Sequence, residues 1–486
     1  MKYRRFSSSL AGLALLSACS GGGGSSSPTS VIGGGNPTPT PTPAPGPTPT
    51  PTASCSLPDR QNWAFSVLQE WYLFPSLLPA SLNPAPYTTV SDYIDALTAT
   101  ARAQNKDRYF TYLTSISSEN AYYNSGSSAG FGVRLALDQT GTRLFVIEAF
   151  ENAPALTAGI DRGAEIVGVG TTSGGVQSVS SLIASGGTDA LNTALGPNTA
   201  GTTRYLQVRD AGGTRTLAVT KTDYAIDPVS NRYGAKVIND GGRQVGYVNL
   251  RTFINTADPE LRAAFANFKA QGITNVIVDL RYNGGGLVSI AELLANLMGA
   301  NRSSSDVVDY LTFRPEKSSN NSVTNFALQN ESIAPAKIAF IGSSGTASAS
   351  EIVINAFTPY LHTNSALIGT NTYGKPVGQV AIDRAACDDR LRVVAFAVEN
   401  ASHQGTYYNG LAQYAEASCQ ASDDIAHQLG DPNEATTRAA LNYLAGVSCT
   451  PIASGGQTSQ SLASGRNLIL SPARPDTPQR EVPGLY

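Results

Sequence analysis

Histidine is scarce in this chain of 486 residues, which contains only His362, His403 and His427. None of the three lies in a recognisable catalytic motif, so the sequence disfavours, without excluding, a Ser-His arrangement. The cysteines form no C-x-x-C pair and no histidine cluster accompanies them, which makes zinc the weaker explanation for them. We therefore expect neither a metal nor an organic cofactor.

Charge is also sparse. Charged residues make up 14% of the chain, and 33 basic residues nearly balance 36 acidic ones. A protein that binds nucleic acid carries a basic excess on at least one face, and the composition gives no sign of one. Net charge does not dictate the partners. The low charged fraction, together with abundant Gly, Ser, Thr and Ala, favours an exported protein over a cytosolic one.

The N-terminus has the layout of an export signal. Basic residues precede the apolar run Leu10–Leu16, which is too short to span a bilayer, so we expect residues 1–18 to be a signal peptide. Leu16–Cys19 resembles a bacterial lipobox, which implies cleavage before Cys19 and a lipid on that cysteine. Ser20 then favours the outer membrane, facing the periplasm or the cell surface. An ordinary signal cleavage beside a chance cysteine is the alternative.

Two segments have a composition that is unfavourable for a packed core. Residues 19–54 are Gly/Ser runs followed by Thr-Pro pairs, which predicts an extended linker that holds the folded part away from a membrane. Residues 451–486 are rich in Ser, Gly and Pro, and we expect this tail to be poorly ordered.

Ser348 lies where a strand is predicted to give way to a helix. The apolar run Ile338–Ile341 predicts the strand, small residues make the turn, and apolar residues at helical spacing follow over Ile352–Phe357. A helix N-terminus offers free N–H groups to an oxyanion, so Ser348 is a candidate nucleophile. The alternative is a capping box with Glu351, which any helix can use.

Lys375 is the candidate base for this serine. It follows Ala366–Gly369, which is predicted to be the next strand, so a strand–helix–strand unit would return it to Ser348. A lysine accepts a proton only if burial lowers its pKa toward the working pH.

These residues carry a family resemblance. Three segments, in order, are similar to the core motifs of the C-terminal processing (tail-specific) serine peptidases of the S41 type: Asp279–Gly286, Thr346–Glu351, and Tyr373–Lys375 with Gln379. The resemblance implies that Ser348 is the nucleophile, Lys375 the general base and Gln379 the residue that orients it. It also implies an oxyanion hole formed by the N–H groups of Gly286 and Ala349.

The glycines of the first motif have another explanation to consider, because Gly284–Gly286 opens a helix after a strand. Neither G-x-x-x-x-G-K-[ST] nor G-x-G-x-x-G is present there, which disfavours a phosphate site. Without Cβ atoms, these glycines would let a substrate backbone approach closely.

The resemblance covers residues 56–450 and implies a multidomain α/β protein. We expect a helical N-terminal part over 55–124, a PDZ-like β-rich domain over 125–224, and over 225–450 an α/β catalytic core of the crotonase/ClpP-like S41 type. Short apolar runs and Gly turns, among them Ala153–Ile160, favour strands in the second part. Its peptide-binding loop would be Gly130, Phe131, Gly132 and Val133, although a simple β-turn explains the two glycines equally well when they are taken alone.

Cys55, Cys387, Cys419 and Cys449 remain as disulfide candidates in an exported chain. Four cysteines permit three pairings. We favour Cys387 with Cys419, which closes a loop within the core, and Cys55 with Cys449, which ties the N-terminal helices to its end.

Together these features predict a lipid-anchored serine endopeptidase of the cell envelope that acts on proteins or peptides with accessible C-termini. An activating partner is left open. The alternative is a surface lipoprotein on the same scaffold that binds peptides without cleaving them. It is motivated by the interval from Ser348 to Lys375, which is longer than the family pattern, and by Pro376, which stands where glycine is usual.

Overall fold

The computed structural model describes residues 54–453 and 468–486, which fall within one compact unit. The predicted signal peptide, the predicted lipidation site Cys19 and nearly all of the predicted linker lie outside the described residues. Within the described ranges, no helix combines the length and the apolar character that a membrane crossing requires.

The helices of the described residues are labelled in chain order. They are α1 Leu57–Trp71, α2 Val90–Leu97, α3 Ala99–Ala103, α4 Ile116–Ser125, α5 Pro154–Thr157, α6 Val179–Leu195, α7 Ala257–Ala270, α8 Val288–Leu297, α9 Ala349–Leu361, α10 Ala435–Leu444 and α11 Thr477–Glu481. Helix α6 is interrupted at Gly186 and Gly187, whose backbone angles are not helical.

The strands are labelled in the same way. They are β1 Tyr112–Ser115, β2 Ser127–Gly130, β3 Val133–Leu137, β4 Leu144–Ala149, β5 Glu165–Gly170, β6 Gln177–Ser178, β7 Thr203–Asp210, β8 Gly213–Thr220, β9 Thr222–Ala225, β10 Ala235–Asp240, β11 Arg243–Asn249, β12 Asn275–Asp279, β13 Val307–Phe313, β14 Ser322–Asn325, β15 Lys337–Gly342, β16 Ser365–Gly369, β17 Val377–Arg384, β18 Asp389–Glu399, β19 Ala417–Gln420 and β20 Leu468–Ile469.

A six-stranded sheet, in the order β10-β11-β12-β15-β16-β19, forms the centre of the chain's second half. Its strands are parallel except for β10, which pairs antiparallel with β11. Both faces are buried, which explains the unbroken apolar runs of its central strands. Ile338 and Phe340 pack toward α7, α8 and α9, whereas Ala339 and Ile341 pack toward α10.

A five-stranded sheet lies between this core and the N-terminal helices. It has the order β1-β18-β13-β14, with β17 also paired to β18. Residues of α1 and α2 share one hydrophobic cluster with Val393 and Val394 of β18. Arg60 of α1 donates both Nε and Nη2 to Asp389, at the start of the same strand. The helices therefore rest on the sheet whose strand β17 begins just after Lys375.

Residues 127–225 form a β-rich segment. A seven-stranded sheet runs β20-β3-β4-β5-β7-β8, with β6 paired to β5, and α6 covers it. The expectation of a strand within Ala153–Ile160 is wrong, because the short helix α5 stands there. Pro154 begins that helix, a position where its fixed φ and missing N–H are tolerated.

The expectation of a poorly ordered tail does not hold for residues 468–486. Strand β20 pairs with β3, and α11 packs near α4. Four residues of this segment, Leu470, Val482, Leu485 and Tyr486, are at least 98% buried. Composition did not predict that this segment is ordered, because its order depends on contacts with residues far away in the sequence.

The favoured disulfide pairing is wrong. The bonds are Cys55–Cys387 and Cys419–Cys449. Cys387 lies in the turn between β17 and β18, which the start of α1 approaches, so it meets Cys55 there. Cys419 belongs to the edge strand β19, and the chain returns beside that edge, where Gln420 N–H donates to Thr450 O at 2.7 Å.

Candidate active site

Ser348 occupies a strained turn between β15 and α9. Its φ of 55° and ψ of −118° lie in a region that residues other than glycine rarely adopt. The turn is fixed from below by the loop after β12, since Ala347 N–H and Ser350 Oγ both donate to Asn283 O, at 3.0 and 2.9 Å. Thr346 Oγ1 donates to Leu280 O at 2.7 Å. The strand–turn–helix predicted around Ser348 is therefore present, with a backbone that the surrounding contacts hold under strain.

Glu351 joins the Ser348 turn to the Lys375 loop. Its buried carboxylate accepts through Oε2 from Ser348 N–H at 3.0 Å and from Lys375 N–H at 2.7 Å. Oε1 accepts from Thr372 Oγ1 at 2.6 Å and from Gly374 N–H at 2.7 Å. The predicted capping contact with Ser348 is thus one of four. Burial raises the pKa of Glu351, and the hydrogen bonds oppose that rise.

The shared oxygen of Glu351 brings the two candidate residues together. The backbone nitrogens of Ser348 and Lys375 both lie within one hydrogen bond of Oε2 and hence within two hydrogen-bond lengths of each other. The strand–helix–strand unit β15–α9–β16 accordingly returns the chain beside its own starting turn. Neither the longer interval nor Pro376 prevents this return.

The Lys375 side chain is held by Gln379. Lys375 Nζ donates to Gln379 Oε1 at 2.8 Å, and Gln379 Nε2 donates to Phe110 O. A β-bulge at Gly378 and Gln379 shifts the register of β17 against β18, and bulges of this kind change the direction of a side chain. Lys375 Nζ also lies 5.1 Å from the centroid of the Phe110 ring. Burial lowers the pKa of Lys375, while the carboxylate of Glu481 acts against that change.

The glycine loop after β12 lies directly against Ser348. A Cβ built on Gly285 would lie 2.8 Å from Ser348 Cβ, and one built on Gly286 would lie 2.2 Å from Phe253 O. Their φ angles, 124° and 134°, also exclude ordinary side chains. Among the described residues, neither Gly286 N–H nor Ala349 N–H donates to an acceptor. Both groups are thus available to an incoming carbonyl.

The three histidines lie elsewhere, on the surface. Each pairs through Nδ1 with a neighbouring carboxylate: His362 with Glu416, His403 with Glu399, and His427 with Asp424. Their side chains are 64%, 65% and 44% exposed. This placement gives Ser348 no histidine partner. The described residues also include no group of three or more potential metal ligands.

The predicted peptide-binding loop, Gly130–Val133, joins β2 to β3 and faces the end of the chain. Gly132 N–H and Val133 N–H donate to Tyr486 O at 2.9 and 3.3 Å. A Cβ on Gly130 would lie 2.8 Å from the carbonyl carbon of Tyr486. The glycines are therefore required by a bound backbone as well as by the turn.

Sequence reasoning missed two contributors to the site. Arg108 donates to Tyr373 O at 2.9 Å and to Gly374 O, and its guanidinium carbon lies 4.0 Å from the centre of the Tyr373 ring, so it supports the Lys375 loop from the N-terminal segment. Glu351 was interpreted only as a helix cap. The available signal was a carboxylate within a motif whose other residues are small and uncharged.

Comparison with known proteins finds similarity to a peptidase family in the region of this site. Residues 244–411 match the model of peptidase family S41. The chain is 27% identical over 270 residues to a chloroplastic C-terminal processing peptidase of Tetradesmus obliquus, covering 53% of this chain and 54% of that one. It is 25% identical over 277 residues to the carboxy-terminal processing protease CtpA of Bacillus subtilis, covering 57% and 53%. The chain thus spans about half the length of the curated relatives it matches.

The fold has a counterpart among solved structures. A Bacteroides fragilis protein with a provisional S41 protease assignment superposes with a TM-score of 0.60 at 22% identity, over 79% of this chain and 97% of that chain. The family match covers the region that holds Ser348, Lys375, Gln379 and the glycine loop. Residues 244–411, which contain the candidate site, are therefore similar to peptidase family S41.

Proposed function

We propose that the protein is a serine endopeptidase that cleaves proteins or peptides near their C-terminal ends by a Ser-Lys mechanism. The observation that best supports this is the environment of Lys375, whose Nζ is held by Gln379 at 2.8 Å and whose pKa is lowered by burial. A lysine in this state can accept the proton of a serine hydroxyl.

In the proposed reaction, Ser348 Oγ attacks the substrate carbonyl carbon while its proton passes to the neutral amine of Lys375. The N–H groups of Gly286 and Ala349 donate to the oxyanion that forms. The C–N bond then breaks, and the Lys375 ammonium returns the proton to the leaving amine. Water next attacks the ester of Ser348, Lys375 takes a proton from that water and gives it to Ser348 Oγ, and the carboxylic product leaves.

Substrate capture is assigned to the β-rich segment. The Gly130–Val133 loop presents backbone N–H groups at one end of β3, and an extended peptide could add to the edge of that strand. In this proposal the segment acts as a PDZ-like domain that holds a substrate's end while the peptide reaches the glycine loop.

The second candidate is a peptide-binding protein that does not cleave. One observation favours it: Lys375 Nζ donates to Gln379, and no hydrogen bond from Nζ to Ser348 is found in the described residues. A fluorophosphonate probe followed by peptide mapping separates the two. Labelling of Ser348 that is lost in Lys375→Ala supports the peptidase. An unlabelled, folded protein that still binds peptides supports the alternative.

Turnover of casein provides the second measurement. We expect Ser348→Ala and Lys375→Ala to abolish cleavage, and Lys317→Ala to leave it unchanged, because Lys317 forms a surface pair with Glu70. Substantial residual cleavage by Ser348→Ala would remove that residue from the mechanism.

The proposed location is the cell envelope, with a lipid on Cys19 as the anchor. Lipid-dependent partition into a detergent phase tests it, because Cys19→Ser would remove the thioether. A Cys19→Ser protein that keeps a lipid-sized mass increment would exclude this anchor.

A further inference from the structure

The described end of the chain, residues 468–486, lies along the edge of β3 in two pieces. Leu468 and Ile469 pair antiparallel with Leu137 and Ala136, and Leu470 N–H then donates to Leu135 O at 2.9 Å. The chain leaves the strand after this residue and returns to the same edge at Gly484. Together the two pieces occupy the edge of β3 from Leu137 to Val133.

The second piece fills the Gly130–Val133 loop. Leu135 N–H donates to Gly484 O at 2.8 Å, and Tyr486 N–H donates to Val133 O at 2.9 Å. Tyr486 is 2% exposed, packs in the core of the β-rich segment, and donates its hydroxyl to Asn192 Oδ1 of α6 at 2.7 Å. The loop binds a backbone and the adjoining pocket binds an aromatic ring, so together they form a specific binding site.

Between the two pieces the chain passes through the cleft of the candidate active site. Gly284 N–H, in the glycine loop, donates to Glu481 O at 2.9 Å. A Cβ on Gly284 would lie 2.3 Å from Arg480 O. A cavity of about 480 Å³ is lined on one side by Ala347 and Lys375 and on the other by residues of this segment. The segment therefore lies on the surface that a substrate would need.

Polar contacts anchor this passage at several points. Arg480 Nη1 donates to Tyr109 O at 2.8 Å, and buried Arg134 donates through Nη1 to Pro483 O at 3.0 Å. Glu481 is buried and accepts from Tyr123 Oη at 3.1 Å. Its carboxylate favours the protonated form of Lys375, which is the inactive form of a base.

We propose that residues 468–486 are a tethered ligand of the protein's own β3 groove and cleft, and that a substrate must displace them. This inference rests on the proposed function and adds to it a substrate class, because the binding site of Tyr486 indicates peptides that present an aromatic residue, tyrosine above all, to the Gly130–Val133 loop. The same N–H and C=O groups of β3 cannot pair with the tail and with an incoming peptide at once. Occupancy of the groove and access of substrate are mutually exclusive.

The magnitude follows from the tether. A short linker presents a ligand at an effective concentration of about 1 mM. If the tail itself binds the groove with an intrinsic Kd of about 10 µM, it competes with a free peptide and weakens that peptide's binding to the intact chain by about 100-fold. Weakening the tail's hold without altering the groove should recover a large part of that factor.

The test measures binding in a Ser348→Ala background, so that it does not depend on cleavage. The probe is a fluorescein-labelled peptide of residues 480–486 with a free carboxylate, followed by fluorescence anisotropy. We expect Tyr486→Ala to tighten probe binding by about tenfold or more, because the variant removes the ring that competes for the pocket. Tyr310→Ala, a matched loss of an aromatic ring on β13, should bind the probe as the parent does. A probe that ends in alanine should bind weakly to each protein.

A second arm guards against a Tyr486→Ala protein that does not fold. A site for a sequence-specific protease is inserted within residues 454–467, the protein is folded intact, and it is then cut and diluted to nanomolar concentration. Cutting abolishes the tether, so probe binding should tighten about as much as in Tyr486→Ala. Equal probe affinity before and after cutting would overturn the proposal. If the wild-type protein does not cleave casein but the probe affinities change as expected, only the proposed peptidase activity is refuted.

Discussion

The strongest test of the site's architecture is Glu351→Gln, which keeps the size of the side chain. The carboxylate accepts from four donors, two at each oxygen. A glutamine can place its oxygen on only one side. Its NH₂ group then faces either Ser348 N–H and Lys375 N–H, or Gly374 N–H and the hydroxyl of Thr372, so at least one buried N–H is left without an acceptor.

The cost can be bounded from these contacts. One buried, unsatisfied donor destabilises by about 1–3 kcal/mol, so Glu351→Gln should lower the free energy of unfolding by at least about that amount. The Thr372 hydroxyl, which already accepts from Leu411 N–H at 2.8 Å, limits the loss if it rotates to accept from the new amide. Because Ser348 and Lys375 share one oxygen, we also expect a loss of about 100-fold in kcat/KM from misplacement of the two groups.

Urea unfolding and casein turnover measure the two effects. Glu416→Gln is the matched control, because Glu416 is a half-exposed surface residue paired with His362 and should change neither. A Glu351→Gln protein with the stability and the kcat/KM of wild type would refute the assignment of Glu351 as the link between the two loops. Loss of activity at unchanged stability would show that the effect is confined to the site.

Two further predictions concern pH. The kcat/KM should rise with pH, and the apparent pKa of that rise should lie below the ordinary lysine value of 10.5, because burial lowers the pKa of Lys375 and only the neutral amine accepts a proton. Lys375→Arg should be inactive, since a guanidinium keeps its proton. An active Lys375→Arg protein beside an inactive His362→Ala protein would contradict the mechanism. Burial raises the pKa of Asp309 to about 7 from 3.8, so ionisation of its carboxyl destabilises the folded state increasingly between those pH values. In urea unfolding, Asp309→Asn should therefore stabilise the protein by up to about 4 kcal/mol at pH 8 and by little at pH 4. An equal gain at both pH values would contradict this.

The sequence predicted the part of the fold that short-range pattern determines. The run Val276–Leu280 is apolar at every position except Asp279, and it becomes a strand buried on both faces. Helix α2, Val90–Leu97, lies in the part that was expected to be helical, because its apolar spacing is helical and Thr89 caps its first turn. Ser348 was placed correctly at the start of α9 for the same reason.

Long-range contacts were beyond the same reasoning. Cys55 and Cys387 are 332 residues apart, and nothing in the local sequence of either indicates the other. The composition of residues 468–486 is typical of a polar tail. Their hydrogen-bond partners, such as Val133 and Gly284, belong to distant segments, so no local pattern predicts that this part is ordered. The four donors to Glu351 likewise come from two loops that meet only after the core has packed.

The contact of the glycine loop with Ser348 limits how this cleft can diverge or be engineered. A side chain at Gly285 would overlap Ser348, and one at Gly286 would overlap the backbone of Phe253, so the wall beside Ser348 is closed to substitution. The wall formed by the N-terminal segment is open to substitution. Tyr109 is 49% exposed and lines the cleft from the N-terminal segment, where a new side chain meets solvent rather than backbone. Changes in the range of peptides cleaved should therefore arise in the N-terminal segment, while the glycine loop stays constant.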